Sequence, residues 1–349
     1  MLVPAAAALL VGAPVLALAT ATWTRAATIS ILMAVVALSL VVVTGYVGQV
    51  SLVHMAFVGV AAFVVSKLSS DLGWPFPLPI VAGALLATTL GLVLGLPSVR
   101  VRGPSLAIVT LAAALALDRV LFQNPSVTGR FEGSRVAAPS LFGWELGPRW
   151  FAILSLGALV LIASLVANLR RSALGRRFIA VRENERAAAA AGIGVAQTKL
   201  TGFAASAFVA GLAGGLLAYH LRIIGFERFG PIASLHVVLQ AYLGGIGMIS
   251  GAVVAGLLAN GGVFSNVVSR ITAIESFESV LMAVLLLVTL TTHPDGIASL
   301  LRDRVGHVRS SRPRPHPGGV GTATSSGPAS TRRPSAMDDQ SEGRSHAHT

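Results

Sequence analysis

No cysteine occurs anywhere in the 349 residues, and charge is scarce: Asp, Glu, Lys and Arg together make up 11% of the chain. The first absence excludes a disulfide framework and thiolate metal sites while leaving the compartment open. The second leaves too few charged groups to clothe the two or three soluble domains that the length alone would permit. Lysine is the scarcest cation, present only as Lys67 and Lys199. Neither stands in G-x-x-x-x-G-K-[ST], so the sequence holds no phosphate-cradling loop for ATP. No Lys or Arg precedes Arg25 either. The basic region that opens a secretory signal is therefore missing, although "LALATATW" (residues 16–23) offers small residues for cleavage, and a retained first helix is expected.

What the chain has is apolar residues, 54% of the total. They fall in runs of about 16 to 21 residues, long enough to span a bilayer as helices, the one open-ended structure that satisfies its own backbone in hydrocarbon. Ten candidate spans are read at about 3–22, 26–43, 46–66, 78–96, 103–122, 150–167, 199–219, 235–250, 252–269 and 276–291. The fold class is an all-α polytopic membrane protein of about ten transmembrane helices, with residues 1–300 as the membrane domain.

The net charge of +12 lies in loops between spans and in the tail, a distribution that argues against nucleic-acid binding. Ten spans place both termini on one side. Cations gather in the loop 168–199, as Arg170, Arg171, Arg176, Arg177, Arg182, Arg186 and Lys199, and again from Arg302 onward. By the positive-inside rule that side is the cytoplasm. Residues 301–349, rich in Pro, Ser, Gly, Arg and His without hydrophobic period, are expected to be a disordered basic cytoplasmic tail. The loop 123–149 is turn-rich and leads to Trp144 and Trp150, expected as outer-face interfacial anchors. Gly91/Gly95, Gly211/Gly215 and Gly247/Gly251 form G-x-x-x-G pairs expected to let helices approach closely.

Three stretches depart from plain apolarity. Residues 44–59, "TGYVGQVSLVHMAFVG", place Gln49, Ser51 and His54 in an apolar run that starts with Gly45 and Gly48. Polar groups at membrane depth face a bundle interior or a watery path, and glycines there tolerate the helix breaks that line transporter sites. Lining a route and bonding a neighbouring helix both stay open for them. In "YLGGIGMISGAVVAG", 242–256, glycines 244, 245, 247 and 251 indicate a tight turn between two short spans or a re-entrant element. In "RENERAAAAAGIG", 182–194, Asn184 is a suitable N-cap, the run to Ala191 gives about two helical turns, and Gly192 suits a left-handed C-cap. The result is a short helix on the basic side with a small-residue face, fit for close docking against another protein and lacking the large apolar residues an interfacial helix inserts.

With these residues in view, the sequence resembles the LivM-type permease subunit of branched-chain amino-acid ABC transporters. "GYVGQVSLVHMAF" (45–57) is similar to the family's GYxGQxSLGHAAF, and "RVRGPSLAIVTLA" (100–112) to RLRGxYFAIxTLA. Residues 172–216 follow the family's cytoplasmic loop and next helix, and 242–256 and "HPDGI" (293–297) supply the remaining signatures, so the likeness runs over about 30–298. Val53, Met248, Ile249, Ala252 and Asp295 depart from those patterns.

The resemblance implies that Arg182, Glu183, Asn184, Glu185, Ala187, Ala188 and Gly192 belong to the element that couples to a cytoplasmic ATPase. A translocation pathway is expected near Gly45, Gly48, Gln49, Ser51 and His54, on the polar groups and glycines at membrane depth noted above. The implied activity is import of branched-chain amino acids through the bacterial cytoplasmic membrane. The implied partners are a second, LivH-type permease, two ATP-binding cassette subunits and an extracytoplasmic substrate-binding protein. ATP and magnesium would sit on the cassettes, with no cofactor on this chain. The nearest alternative is a urea or amide permease of the same superfamily. An intramembrane enzyme built on His54 lacks a convergent carboxylate or metal group, and a channel would leave the docking helix unexplained.

Overall fold

Helix dominates because an apolar chain in lipid can pair its backbone groups within each segment. The structure, a computed structural model, describes residues 2–101, 103–128, 133–141, 143–271, 276–292 and 297–298, all within one unit, Met1–His307. The tail 301–349 and Asp295 lie outside the described residues. The helices are α1 (Leu2–Leu18), α2 (Ala21–Leu40), α3 (His54–Ser66), α4 (Leu78–Arg100), α5 (Pro104–Leu117), α6 (Pro125–Thr128) and α7 (Pro148–Arg171). They continue with α8 (Ala173–Glu183), α9 (Glu185–Ala190), α10 (Val195–Leu221), α11 (Pro231–Gly244), α12 (Ile249–Leu257), α13 (Val263–Ile271) and α14 (Ser276–Thr292). α5, α7 and α11 each start at a Gly-Pro step, where proline's missing N–H costs nothing in the first turn.

Among the described residues, five helical stretches are long and apolar enough to cross a membrane: Ala21–Tyr46, Leu78–Arg100, Ser105–Phe122, Pro148–Arg171 and Val195–Leu221. Ala6–Leu18 and Pro231–Gly244 are apolar but shorter. Several expected spans have other boundaries. The expected spans 26–43 and 46–66 resolve into one long stretch that extends α2 through a π-helical turn at Val41–Tyr46, an irregular segment, and the 13-residue α3. The expected span 252–269 is two short helices, α12 and α13, separated by a turn at Ala259–Gly262. The glycine-rich stretch 242–256 does contain a tight turn, with Gly245 at φ +106 between α11 and α12.

The core centres on α10, which lies against α2, α3 and α4. Glycine permits the contact. A Cβ on Gly211 would stand 2.6 Å from the backbone of Ala84, and one on Gly215 2.9 Å from Ile80, both on α4. In return Gly91 and Gly95 of α4 face Ala207 and Phe203 of α10, and Gly214 meets the Val58 carbonyl of α3. Two of the three G-x-x-x-G pairs therefore do interlock helices. Of the third, Gly251 of α12 packs against the Gly244 and Gly245 carbonyls at the end of α11, whereas Gly247 sits in the turn before α12 with no neighbour near its missing side chain.

Cation–π contacts hold both ends of the 21–46 stretch, with Arg270 over Trp23 and Arg170 over Tyr46. Short strands decorate the loops. β1 (Ser134–Arg135) and β4 (Ile223–Ile224) pair antiparallel, as do β2 (Ser140–Leu141) and β3 (Trp144–Glu145). Trp144 and Trp150 are exposed. Leu85, Leu92, Leu96, Ile108, Leu161 and Leu165 are exposed on the long helices, an outward apolar surface suited to lipid or a membrane partner.

Candidate functional site

The segment after Tyr46 leaves the helix because Gly48 takes φ +77, a conformation costly for any residue with a Cβ. Its freed backbone groups find partners. The Thr44 hydroxyl donates to the Gln49 carbonyl at 3.0 Å, the Gln49 N–H to the Val43 carbonyl at 3.1 Å, and the Leu52 N–H to Thr110 Oγ1 on α5 at 3.0 Å. The break between Val47 and Val53 is thus a built irregularity. Its three polar side chains are buried: Gln49 is 5% exposed, Ser51 0% and His54 1%.

His54 serves helix-to-helix bonding. Its Nε2 lies 2.5 Å from Ser206 Oγ on α10, and Ser206 donates its only hydrogen to the Ser39 carbonyl on α2 at 2.8 Å. The hydroxyl must then accept from the imidazole, which assigns the proton to Nε2. Gln49 differs, because among the described residues neither end of its buried amide meets a hydrogen-bond partner, and the Ser51 hydroxyl meets none either.

The loop after α7 is more ordered than its polarity suggested. Ser172 caps α8 by accepting from the Gly175 N–H at 3.2 Å. The short helix in 182–194 forms as α9. Asn184 Oδ1 accepts from the N–H groups of Arg186 (3.0 Å) and Ala187 (3.1 Å), an N-cap that satisfies two orphan donors. At the other end Gly192 has φ +78, and the Ile193 N–H returns to the Ala188 carbonyl at 3.0 Å. This is the left-handed glycine stop.

The residues named for coupling divide into two sets. Glu183, Ala187 and Gly192 are exposed, and Asn184 spends its side chain on the cap. Ala188 does not belong to the outward small-residue face: it is buried against the chain's own body, and Ala189 and Ala190 take its place outside. Arg182, itself exposed, and the half-buried Glu185 bond to the membrane helices. Arg182 donates to the Gly45 carbonyl, and its side chain packs where a Cβ on Gly48 would stand. Glu185 Oε1 lies 2.7 Å from Lys199 Nζ, which also donates to the Ser98 carbonyl at the end of α4 at 3.1 Å.

Lys199 is 1% exposed. A buried ammonium is tolerated when paired and hydrogen-bonded, and here three elements meet on it. Gly48, Gln49, Arg182, Glu185 and Lys199 line one recess of about 100 Å³. The structure so brings together the front of the helix break and the loop helices, and leaves Ser51 and His54 deeper in the core. Lys199 was not among the residues expected at the site. Its only signal in the sequence was rarity, one of two lysines beside an apolar run.

Comparison with known proteins follows the same lines. Residues 22–290 match the family described as branched-chain amino acid transport system / permease component. The chain is 28% identical over 306 residues to the "High-affinity branched-chain amino acid transport system permease protein LivM" of Escherichia coli (strain K12), covering 80% of this chain and 70% of that protein. The LivM of Salmonella typhimurium gives the same figures. The LivH permease protein of Escherichia coli (strain K12) is 28% identical over 286 residues, covering 76% of this chain and 90% of its own length. No solved structure matches. A family match across more than half of the chain settles the assignment: the protein belongs to the permease components of branched-chain amino acid transport systems.

Proposed function

We propose that this chain is one permease subunit of an ATP-driven importer carrying branched-chain amino acids inward across the cytoplasmic membrane. A second, LivH-type permease, two ATP-binding cassette subunits and an extracytoplasmic binding protein complete the assembly. ATP and magnesium are handled by the cassettes, since this sequence has no phosphate-binding loop. The long and short apolar helices together make about ten crossings, with the cation-rich loop 168–199, both termini and the tail on the cytoplasmic side.

The observation that carries this reading is the double tie of α8 and α9 to the membrane helices. Arg182 holds the Gly45 carbonyl, and Glu185 holds Lys199. A cassette pressing on the exposed surface around α9, at Glu183 of α8, Ala187 and Ala189 of α9 and Gly192 after it, displaces the helix break at 45–53 and the cytoplasmic end of α10 together. Gly45, Gly48 and Gln49 supply the movable part, and Ser51 and His54 support the route from behind it. The buried amide of Gln49 has no protein hydrogen-bond partner among the described residues in this conformation, which supports rearrangement of the segment in another.

The test is uptake into proteoliposomes containing the whole complex, with radiolabelled leucine, ATP inside and binding protein outside. ATP-dependent leucine uptake, competed by isoleucine and valine, is the expected result. Absence of leucine uptake, or suppression by urea where excess unlabelled leucine has no effect, overturns the substrate assignment in favour of an amide carrier.

A further inference from the structure

The break that the sequence advertised, at 45–53, opens on a recess of only about 100 Å³. A larger cavity, about 480 Å³, lies elsewhere, where two other helix interruptions meet. One is the short 3-10 turn Phe226–Phe229 before α11. Phe229 is buried against Gly59 and Phe122 and draws that turn into the helix body. The other is the turn at Ala259–Gly262 between α12 and α13, neighbour to Ile29 and Ser30 of α2. Interrupted helices converging beside intact ones are how membrane transporters build substrate sites, because their ends offer backbone dipoles and polar side chains at depth.

The lining is of two kinds. Arg228, His236, Gln240 and Asn260 supply its polar groups, of which Gln240 is buried and the other three are exposed, and Ile29, Met33, Leu217 and Val237 supply apolar surface. No acidic residue lines the cavity, and Arg228 has no ion pair among the described residues. The Gln240 amide, nine-tenths buried, turns to the Leu258 carbonyl at 3.4 Å, so the end of α12 and the face of α11 meet there. The two other large recesses, about 390 and 710 Å³, are lined by apolar side chains apart from Lys67 in one and Arg100 in the other. They offer no such division.

We propose that this cavity is the intramembrane binding site of the transported molecule, and that it takes a small zwitterion with an aliphatic side chain. The carboxylate faces Arg228 and the positive amino end of α11. The side chain lies on the wall of Ile29, Met33, Leu217 and Val237, and Asn260 and Gln240 offer amide oxygens to the ammonium. Its volume falls in the range of small-ligand pockets. From Arg228 a neutral amide would gain a hydrogen bond to its carbonyl oxygen, whereas a carboxylate gains a bidentate charge pair, so the cavity's charge favours the zwitterion. This inference rests on the permease function proposed above and locates the substrate within it.

The absence of cysteine makes the test direct. Ala233→Cys puts the chain's only thiol in the cavity lining. Its labelling by a charged methanethiosulfonate is measured in the assembled complex during turnover, with leucine at increasing concentration, and Leu86→Cys in the 390 Å³ recess is the control. Leucine is expected to slow labelling at 233 and not at 86, while urea slows neither. In parallel, Arg228→Gln is expected to raise the leucine concentration for half-maximal uptake on the order of tenfold, and Val237→Phe to lose leucine before valine. If saturating leucine leaves labelling at 233 unchanged and Val237→Phe keeps the wild-type preference, the site is elsewhere. A wild-type complex that takes up no branched-chain amino acid overturns the function itself, which is a different result.

Discussion

Replacing Glu185 by glutamine separates an ion-pair tie from mere packing. The substitution keeps shape and a hydrogen-bond acceptor but strips the opposing charge from a lysine that is 1% exposed. Removing one partner of a buried pair costs about 3–5 kcal/mol. Glu185 keeps 23% of its side chain in solvent, so screening lowers the figure to about 2–3 kcal/mol. Lys199→Met is the counterpart: it deletes the buried charge and retains most of the apolar stem, but leaves behind a carboxylate whose Oε2 is itself buried. Its cost is expected to be comparable, about 2–3 kcal/mol, and the double variant is expected to be more stable than either single variant.

The assay is the thermal midpoint of the purified complex in detergent, alongside leucine transported per ATP hydrolysed. If α9 drives the membrane helices through this pair, both single variants lower the transport ratio as well as the midpoint, and the double variant recovers the midpoint without the ratio. Equal midpoints for Glu185→Gln and wild type would refute the electrostatic argument. An unchanged transport ratio in both variants would refute the mechanical one.

The remaining predictions concern the same machinery. Gly192→Val places a β-branched residue at φ +78 in open space, so its cost is backbone strain of about 1–2 kcal/mol; uptake per ATP is expected to fall, and Gly192→Asn to retain it. Ala189→Trp, on the exposed side of α9, is expected to leave the isolated chain as stable as wild type and to abolish co-purification of the cassette subunits; retained co-purification refutes docking there. His54→Ala breaks the chain through Ser206 to Ser39 and is expected to lower stability by about 1–3 kcal/mol while the half-saturating leucine concentration stays unchanged. A tenfold change in that concentration at unchanged stability would instead put His54 on the route.

Local features were legible in the sequence, and long-range ones were not. The cap at Asn184, the two turns that follow and the stop at Gly192 could all be read within a dozen residues, because capping is decided by neighbours along the chain. The break near Gly45 and Gly48 was visible for the same reason. Which of five successive alanines faces inward depends on how a six-residue helix docks, so the burial of Ala188 was hidden. Lys199 finds Glu185 across the loop and the Ser98 carbonyl at the far end of another helix, contacts that no local pattern encodes. The misread span at 252–269 has a simpler cause. Unbroken apolarity does not distinguish one long helix from two short ones, and the turn dipeptide Asn260–Gly261 was the available clue.

The glycine interlock of α10 with α3 and α4 limits how this protein can move. Sliding one of these helices by a single residue, a rise of about 1.5 Å, would push side chains into gaps that admit only hydrogen. Shear between them is therefore blocked, and the three behave as one piston. Under the coupling proposed above, work delivered through α9 would not be dissipated inside that body and would appear as its rotation against the remaining helices. Spin labels at exposed Leu86 on α4 and Thr201 on α10 should hold one separation through the whole ATP cycle. On that proposal the stroke would fall at the seams around the piston, where α11, α12 and α13 are short.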